Sequence, residues 1–451
     1  MSQSLQSKAE SLSGWGRFRP VEQVTVSPTN TTQLQELIRS GQGPWIARGM
    51  GRSYGDPAVG SASTAILQGR LKGILDFDET SGLLRCEAGL TLGEIVTQWL
   101  PRGWFPAVVP GTQFVTVGGA IAGDVHGKNH HKRGTFARGL DSFRLLLADG
   151  TVHQCSRDEN PELFHATTGG MGLTGVVLDA TLRLDRRETA FARICNQRTG
   201  NLEETVSLME TLDESDYSVA WIDCLARGAN LGRSVVSYGD DAATTDFPAA
   251  TDPLTVPARR RLRVPLDFPN IALNQWSIRA FNALYYRLPR PAEGLQPLTG
   301  LHFPLDAIEH WNRIYGRRGF IQFQGLIPEA AGRECTRQLL EATAATGMAS
   351  FLAVFKRTGA VGDGHLSFPD RGYTLAMDFP NVGNRLHELI DRLHRILLEA
   401  GGRVYLAKDA LIDAESFRRM YPRLDEFREV RARVDPHARF RSNLSDRLGL
   451  T

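Results

Sequence analysis

The sequence predicts an α+β protein of two domains, and three observations support that class. The chain has 451 residues, which is too many for a single hydrophobic core. Up to about residue 190, short strands alternate with short helices. Residues 191–404 instead combine widely spaced strands and helices in a pattern typical of an antiparallel sheet covered by helices. We expect the tail, residues 405–451, to return to the first domain (residues 1–190) and complete it.

Local signals mark the elements of the first domain. A capping side chain or an N-terminal proline precedes each apolar-periodic run that predicts a helix. The three predicted helices run from a cap at Thr29 or Asn30 to Ser40, from a cap at Thr91 to Leu100, and onward from Asn160-Pro161-Glu162. Strands are predicted at 63–68, 83–89 and 175–184, with a hairpin in which Asp149-Gly150 joins RLLLAD to TVHQC.

In the second domain, β-branched and aromatic runs alternate with helical periodicity. The predicted strands lie near 217–224, 319–327, 349–356 and 372–379, and the predicted helices near 201–213, 305–315, 329–346 and 383–400. Residues 239–265 are rich in Ala, Asp, Thr and Pro, so we expect a mobile loop without a packed element. This loop ends in the arginine cluster 259–263. It could cover a site or touch anionic lipid headgroups, and a solvated loop without a role is equally consistent.

Composition excludes several classes of protein. The chain is 41% hydrophobic and 23% charged, as in soluble globular proteins. Basic residues outnumber acidic ones by only 52 to 50, which argues against a nucleic-acid partner. Five cysteines without a CxxC pair favour a reduced compartment. The N-terminus lacks a signal-peptide pattern and no apolar run reaches about 18 residues, so we expect a cytoplasmic protein without a membrane span.

Residues 108–134 concentrate small side chains before a polar group. The small positions are Gly111, Gly118, Gly119, Ala120, Ala122 and Gly123. In an ordinary core they lower packing and cost backbone entropy, so their clustering favours close approach of backbone to a large cofactor.

A second glycine-rich loop, residues 49–56, follows a short buried strand at 44–48. Consecutive N–H groups in such a turn can bind an anion. The loop is neither the dinucleotide fingerprint GxGxxG nor a P-loop, because no helix pattern begins at Ser53 and no Gly-Lys-Ser/Thr follows. A plain tight turn is the alternative.

Strand periodicity indicates a polar strip in the second domain. In GFIQFQGLIP, Gln322 and Gln324 share one face, which a buried apolar sheet would not carry. Lys356 ends its strand, and Thr374 and Ala376 share a face in theirs. If these strands are neighbours, the strip lies where a ligand would bind. The alternative is that it faces solvent.

Three histidines, His126, His130 and His131, raise the question of a metal site. H-x3-H is a ligand spacing when it lies on a helix. Gly127 interrupts the segment, Lys128 lies among the histidines, and no carboxylate motif completes a known pattern. We therefore predict no metal.

Together these motifs resemble the vanillyl-alcohol oxidase type of flavoprotein, and within it the decaprenylphosphoryl-β-D-ribose 2′-oxidase family. The matching segments are GWGR (14–17), ARGMGRSYGD (47–56), PGT (110–112), VTVGGAIA (115–122), HGKNHH (126–131), GGMGLTGVV (169–177), WNRIYG (311–316), FIQFQ (320–324), FLAVFK (351–356) and YLAKD (405–409). They occur in one order over nearly the whole chain. The resemblance implies that the first domain binds FAD and that residues 191–404 form a substrate-binding cap.

For the cofactor, the resemblance implies a pyrophosphate held by backbone N–H groups of the first loop, with the second loop and the tail completing the site. The implied FAD-binding residues are Arg48, Gly49, Met50, Gly51, Arg52, Ser53, Tyr54, Gly55, Asp56, Gly111, Thr112, Thr116, Val117, Gly118, Gly119, His126, Gly127, Lys128, Asn129, Val177 and Tyr405. Relatives that bind FAD covalently use a histidine in the first loop. Because this loop reads Gly51-Arg52-Ser53, we predict noncovalent FAD.

For the substrate, the resemblance places Lys128, Gln322, Gln324 and Lys356 around a polyprenyl-phosphate-ribose, whose phosphodiester lysines can bind. The polar strip adds Thr374 to the predicted substrate-binding residues. Two residues are implied to be catalytic: Lys408, which contacts the reacting sugar, and His126, which lies beside the flavin and stabilises its reduced form. A salt bridge between Lys408 and Asp409 is the competing interpretation. Ala376 stands where mycobacterial members carry a cysteine that reacts with nitroaromatic inhibitors, so we expect no such adduct.

The implied reaction is oxidation of the ribose 2′-hydroxyl to a 2′-keto product. The implied partners are a short-chain NAD(P)H-dependent reductase that converts this product to the arabinose epimer and a quinone or other electron acceptor. The arginine cluster 259–263 also admits peripheral contact with a membrane. Two alternatives remain: an oxidase of free alditols or aldonolactones, and a flavin-binding or scaffold protein that has lost its chemistry.

Overall fold

The computed structural model describes residues 5–256, 261–288, 292–348 and 351–451. Its strands are β1 (Ser7–Leu12), β2 (Val21–Val26), β3 (Trp45–Arg48), β4 (Thr64–Leu67), β5 (Ile74–Asp78), β6 (Leu83–Glu87), β7 (Trp104–Pro106), β8 (Leu140–Leu146), β9 (Val152–Ser156), β10 (Val176–Arg186), β11 (Phe191–Thr199), β12 (Tyr217–Ile222), β13 (Ser234–Asp241), β14 (Leu262–Arg263), β15 (Glu293–Pro297), β16 (Ile308–Glu309), β17 (Phe320–Pro328), β18 (Ala353–Thr358), β19 (Gly372–Pro380) and β20 (Arg403–Val404). Its α-helices are α1 (Thr31–Ser40), α2 (Leu92–Trp99), α3 (Val117–Ala122), α4 (His130–Arg133), α5 (Pro161–Thr167), α6 (Leu202–Glu210), α7 (Gln275–Arg287), α8 (Leu298–His302), α9 (Gly332–Thr346), α10 (Asn384–Glu399), α11 (Ala414–Met420), α12 (Leu424–Val434) and α13 (Asn443–Arg447).

Two sheets organise the chain up to Arg186. One has the strand order β1-β2-β4-β3, in which β4 runs parallel to both β2 and β3. The other is antiparallel with the order β5-β6-β10-β8-β9, and β7 also pairs with β10. The predicted hairpin is confirmed, because β8 and β9 pair across Asp149-Gly150.

Two of the three predicted helix caps are confirmed. The Asn30 side chain accepts a hydrogen bond from the Gln33 N–H, and Thr91 forms a reciprocal capping box with Glu94. The cap predicted at Asn160 is wrong. This residue is left-handed, and its side chain donates to the Gln154 carbonyl instead of capping α5.

An antiparallel sheet of eight strands organises the second region, in the order β15-β11-β13-β12-β18-β19-β17-β20. Helix α10 packs against it and against α9 through leucines and an isoleucine that recur every three or four residues. The predicted α+β class is therefore confirmed, and β17, β19 and β18 are neighbours as the polar strip requires.

The tail contacts the first region at several backbone positions. The Arg441 N–H donates to the Trp45 carbonyl at 2.8 Å, and the Tyr54 N–H donates to the Ala407 carbonyl at 2.9 Å. Strand β20 instead pairs with β17 of the eight-stranded sheet. The division near residue 190 stays a prediction, which the change of sheet between β10 and β11 supports.

Two predicted features of the second region are wrong in part. Residues 305–315 form no α-helix but two 3-10 turns on either side of β16, because His310 adopts a left-handed conformation with φ 55°. Residues 239–265 contain packed structure: β13 continues to Asp241, and the Phe247 ring contacts Phe191 at 5.3 Å. Part of the arginine cluster, residues 259 and 260, lies outside the described residues.

Within the described ranges, none of the helices has the length and apolar character needed to cross a membrane.

Candidate active site

A cavity of about 1130 Å³ lies between the two glycine-rich loops and the eight-stranded sheet. Arg48 supports the first glycine-rich loop, residues 49–56, because its guanidinium donates to the carbonyls of Ser13 and Ala58. The second loop lies against it closely, since a Cβ on Gly49 would come within 2.3 Å of the Thr116 Oγ1. The small residues thus let two segments of backbone meet at the wall of the cavity.

The first loop offers free backbone donors. Across the described chain, the N–H groups of Met50, Gly51, Arg52 and Ser53 have no protein acceptor. The second loop differs, because its N–H groups are already used: Val117 donates to Leu90, Gly118 to Ala88, and Gly119 to the Thr116 side chain. The first loop can therefore bind an anion through its backbone, whereas the second provides space.

Most predicted cofactor residues line the cavity. They are Gly49, Met50, Gly51, Arg52, Ser53, Tyr54, Gly111, Thr112, Thr116, Gly118, Gly119, His126, Gly127, Lys128, Val177 and Tyr405. Outside the wall lie Arg48, Gly55, Asp56, Val117 and Asn129. Their side chains or backbone hold the loops instead: Asp56 pairs with Arg447 and the Asn129 amide donates to the Ala107 carbonyl.

The polar strip faces the cavity and not solvent. Gln322, Gln324 and Lys356 line it, and both glutamines are buried. Thr374 lies behind the wall, where its hydroxyl accepts from the Gln324 amide at 3.2 Å. In the register of β17 and β19, Gln324 stands opposite Ala376, which also lines the cavity.

Three lysines, Lys128, Lys356 and Lys408, point into the same cavity. Burial lowers the pKa of Lys356 to about 8, and burial together with Lys356 lowers the pKa of Lys128 to about 7. Among the described residues, no carboxylate lies within salt-bridge distance of any of them. Lys128 donates to the Leu301 carbonyl and Lys356 to the Gly127 carbonyl, but neither neutralises a charge. Desolvated cations without a counter-ion are costly, so this part of the cavity favours an anionic ligand.

Lys408 has a distinct environment. Its Nζ lies 3.4 Å from the centroid of the Tyr54 ring, a cation–π contact. Burial lowers its pKa, and Asp378 opposes that shift. The competing salt bridge to Asp409 does not form, because Asp409 bonds Arg447 at 2.9 Å.

His126 is buried beside the lysines. Its Nε2 accepts from the Gln324 amide at 3.0 Å, whereas its Nδ1 has no partner among the described residues. Burial, followed by Lys356, His130 and Lys408, lowers its pKa well below the ordinary value. The imidazole is therefore neutral, and its Nδ1 is available to a ligand.

The other two histidines are held by backbone groups. The His130 Nδ1 accepts from the Gly359 N–H at 3.0 Å, and the His131 Nε2 lies 2.7 Å from the Ser215 carbonyl. The described residues contain no cluster of three or more histidine, cysteine or acidic side chains placed to bind a metal.

Sequence reasoning missed two buried residues of the site. Asp378 accepts hydrogen bonds from Gln322 and Tyr315, and burial raises its pKa. The period of two that joins Thr374 to Ala376 continues to Asp378 and could have found it. His302 lines the cavity with both ring nitrogens unpartnered among the described residues, and no sequence signal indicates it.

One part of the cavity is lined by apolar side chains. Its walls come from α7, β12 and the segments before β17 and β18. The lining side chains there include Trp221, Leu273, Ile278, Phe281, Ile308, Ile314 and Phe351.

Comparison with known proteins agrees with this geometry. A family model described as an FAD binding domain matches residues 22–156, and one described as D-arabinono-1,4-lactone oxidase matches residues 327–448. The chain is 38% identical to decaprenylphosphoryl-β-D-ribose oxidase of Mycolicibacterium smegmatis, with 97% of each protein covered. It is 38% identical to an uncharacterised protein of Streptomyces coelicolor over 80% of this chain and 100% of that protein. It is 29% identical to mouse L-gulonolactone oxidase over 41% of this chain and 43% of that enzyme.

The fold and the site therefore define an FAD-dependent oxidoreductase of the vanillyl-alcohol oxidase type, as the sequence predicts. The match to an FAD binding domain falls in the first of its two regions. The chain belongs to the decaprenylphosphoryl-β-D-ribose oxidase family.

The residues present fit FAD. The free N–H groups of Met50 to Ser53 can receive pyrophosphate oxygens, and a Cβ on Gly111 would meet no atom within 4 Å. The Nδ1 of His126 and the Nε of Arg52 are buried without partners among the described residues, as expected of groups that await a polar ligand.

Filling the cavity beside Gly111 is expected to expel the cofactor. Gly111 lies on the wall, a Cβ there would meet open space, and its φ lies outside the left-handed region, so Gly111→Leu adds volume at the cavity without straining the backbone. We expect loss of most bound flavin, measured as visible absorbance per protein, with little change in the melting temperature of the apoprotein. Gly69→Leu is the matched control, because Gly69 is equally open but does not line the cavity. Full flavin content in Gly111→Leu would contradict this placement.

Proposed function

We propose that this protein oxidises the ribose 2′-hydroxyl of a polyprenyl-phosphate-ribose to a 2′-keto group, with FAD as the oxidant. The observation that carries the proposal is one continuous cavity with three kinds of wall. Free backbone donors line one part of it, lysines and glutamines another, and apolar side chains a third. A lipid-linked, phosphorylated pentose has matching parts.

The proposed binding mode follows from the chemistry of the walls. Lys128 and Lys356 would bind the phosphodiester, since both line the cavity and neither has a carboxylate partner among the described residues. Gln322 and Gln324 would bind sugar hydroxyls, and the aromatic and aliphatic walls near Phe281 would receive the first prenyl units.

For catalysis, we propose that Lys408 is the proton acceptor. Bound FAD supplies a two-electron acceptor for the hydride that leaves the carbinol carbon. Burial lowers the pKa of Lys408, so its neutral amine is accessible near neutral pH and can take the hydroxyl proton. Asp378 would stabilise the ammonium that forms. Gln322, which donates to Asp378, holds that carboxylate in place.

His126 would act as a neutral group at the cofactor. Its Nε2 is occupied by Gln324, which leaves the Nδ1 side to contact the isoalloxazine ring. Tyr405, 5.1 Å from His126 between ring centroids, would support the ring from the tail, where its hydroxyl donates to the Gly123 carbonyl.

Anaerobic mixing tests the proposed reaction. Polyprenyl-phosphate-ribose should bleach the flavin absorbance, and mass analysis should find a product lighter by two hydrogens. Bleaching by an aldonolactone but not by the lipid-linked ribose would rule out this substrate.

An oxidase of aldonolactones is the second candidate. The match of residues 327–448 to the family model described as D-arabinono-1,4-lactone oxidase favours it, as does partial similarity to L-gulonolactone oxidase. Such an enzyme would have no use for two phosphate-binding lysines or an apolar part of the cavity. Rapid turnover of free lactones or pentitols with oxygen would support it, whereas flavin that no donor bleaches would indicate an inactive protein.

The proposed product and electrons require two partners. A 2′-keto sugar becomes the arabinose epimer by hydride addition to the opposite face, which is the chemistry of a short-chain NAD(P)H-dependent reductase. Reduced FAD returns its electrons to a quinone or another acceptor.

We propose that the FAD is noncovalent. The first loop carries Arg52 and no histidine, and the ring of His126 is held by Gln324. Acid precipitation is expected to leave the flavin in the supernatant and a colourless pellet. A yellow pellet after washing would contradict noncovalent binding.

The affinity for a phosphorylated substrate is expected to fall at high pH. Lys128 and Lys356 are charged below pKa values of about 7 and about 8, and they lose that charge as the pH rises. A bound phosphodiester raises both values, so KM should rise by about tenfold or more between about pH 7 and pH 9. In Lys356→Met this rise should become smaller. A KM that is flat across this range in the wild-type enzyme would argue against lysine binding of the phosphate.

A further inference from the structure

Large exposed apolar side chains concentrate in one stretch of the chain. Of the fifteen that the described residues expose, eight lie between Leu262 and Leu288. The most exposed are Ile271 at 82%, Leu266 at 75% and Trp276 at 70%. Single exposed apolar residues need no explanation, but a concentration of this kind marks an interaction surface. We call it the apolar surface, comprising the exposed side chains of residues 262–288.

Helix α7 links this surface to the active-site cavity. Ile278, Phe281 and Tyr285 line the apolar part of the cavity from one side of the helix. Trp276, Leu284 and Leu288 are exposed and follow one another at multiples of four residues, so they share another side. Phe281 lines the cavity and is also one of the exposed apolar side chains, which places the apolar surface at the edge of the cavity.

Positive charge accompanies the apolar side chains. Arg263 and Arg287 are exposed in the same stretch and Arg261 immediately before it, and no acidic side chain of the described residues pairs with them. Trp beside exposed leucines and arginines is the composition of elements that lie in the interface of an anionic bilayer.

We propose that the apolar surface inserts into the headgroup region of an anionic membrane and brings the mouth of the cavity to the lipid. This inference rests on the proposed function, because a polyprenyl substrate resides in a bilayer and must reach the cavity from it. The continuity of α7 between surface and cavity wall provides the route. A second copy of this chain would also cover apolar side chains, but it would leave the arginines facing one another, which like charges oppose.

Flotation of the full-length holoenzyme with vesicles tests the proposal. The wild-type protein should float with phosphatidylcholine vesicles that contain phosphatidylglycerol, and less with phosphatidylcholine alone. Trp276→Asp/Leu284→Asp should lower the partition coefficient by about tenfold or more, since it removes two inserted side chains. Arg261→Gln/Arg263→Gln should reduce the preference for anionic lipid. Val382→Asp is the control, because Val382 is also exposed but lies outside the stretch.

The proposal fails if the wild-type protein stays at the bottom of the gradient with both vesicle types. It also fails if the aspartate double variant floats as the wild type does, or if that variant only converts a dimer to a monomer. Turnover of a short-prenyl substrate dispersed in detergent separates this test from the proposed function. The aspartate double variant should retain turnover of this dispersed substrate, because neither Trp276 nor Leu284 lines the cavity. If the wild type floats but does not oxidise that substrate, the proposed function fails and the membrane contact stands.

Discussion

Replacing Lys408 by methionine is expected to lower kcat by about 10²–10⁴-fold, the range of a lost general acid–base group. The side chain lies over the Tyr54 ring inside the cavity, and burial holds its pKa below the ordinary lysine value. Methionine keeps much of the volume and removes the amine, so bound flavin and the melting temperature should change little. Steady-state turnover with lipid-linked ribose is the measurement.

Two comparisons make this test specific. Lys132→Met is the matched control, because Lys132 is a half-exposed lysine paired with Asp216 outside the cavity. In the wild type, kcat should increase with pH as Lys408 loses its proton. Lys408→Met should abolish this increase of kcat with pH. An unchanged kcat in a flavin-loaded Lys408→Met enzyme would remove Lys408 from the mechanism.

Replacing Arg447 by methionine is expected to lower the free energy of unfolding by about 3–5 kcal/mol, as for a broken buried ion pair. Its guanidinium bonds Asp56 at 2.8 Å, Asp409 at 2.9 Å and the Ile412 carbonyl at 2.5 Å. Burial opposes its charge, but the two carboxylates raise its pKa above the ordinary arginine value. Without Arg447, Asp56 and Asp409 would be two buried carboxylates facing each other.

The measurement is chemical denaturation of the holoenzyme followed by flavin release. Because Asp56 ends the first glycine-rich loop, Arg447→Met should also weaken FAD binding. Arg441→Met is the control in the same tail, since Arg441 forms a more exposed pair with Asp446 and should matter little. Equal stability of the two variants would show that the buried pair does not hold the tail to the loop.

Local structure was predictable where a short-range interaction decides it. The caps at Asn30 and Thr91 depend on side chains that bond N–H groups three residues away, and both form. The helix predicted over 305–315 fails because the chain turns through a left-handed His310 and forms β16, which pairs with the distant β14. The spacing of apolar residues in a segment does not show which distant strand that segment pairs with.

The candidate site shows the same limit. Gln322 and Gln324 were recognisable because two amides on one face of a strand contradict an apolar core. Whether they face solvent or a cavity depends on which strands lie beside β17. Asp409 shows that neighbours in sequence need not pair. Its adjacency to Lys408 suggests a salt bridge, but in the fold Asp409 pairs with Arg447, which lies 38 residues away in the chain.

The sequence by itself determined the α+β class and the two loops poor in side chains, because glycine content, capping and strand periodicity act over a few residues. The residues expected to meet a flavin followed from the resemblance to a flavoprotein family. Only the tertiary structure decided that Lys128, Lys356 and Lys408 share one buried cavity, that Asp378 lies behind it, and that α7 joins the cavity to an exposed apolar surface. Burial and electrostatic coupling arise between segments far apart in the chain, so they exist only once the two regions have packed together.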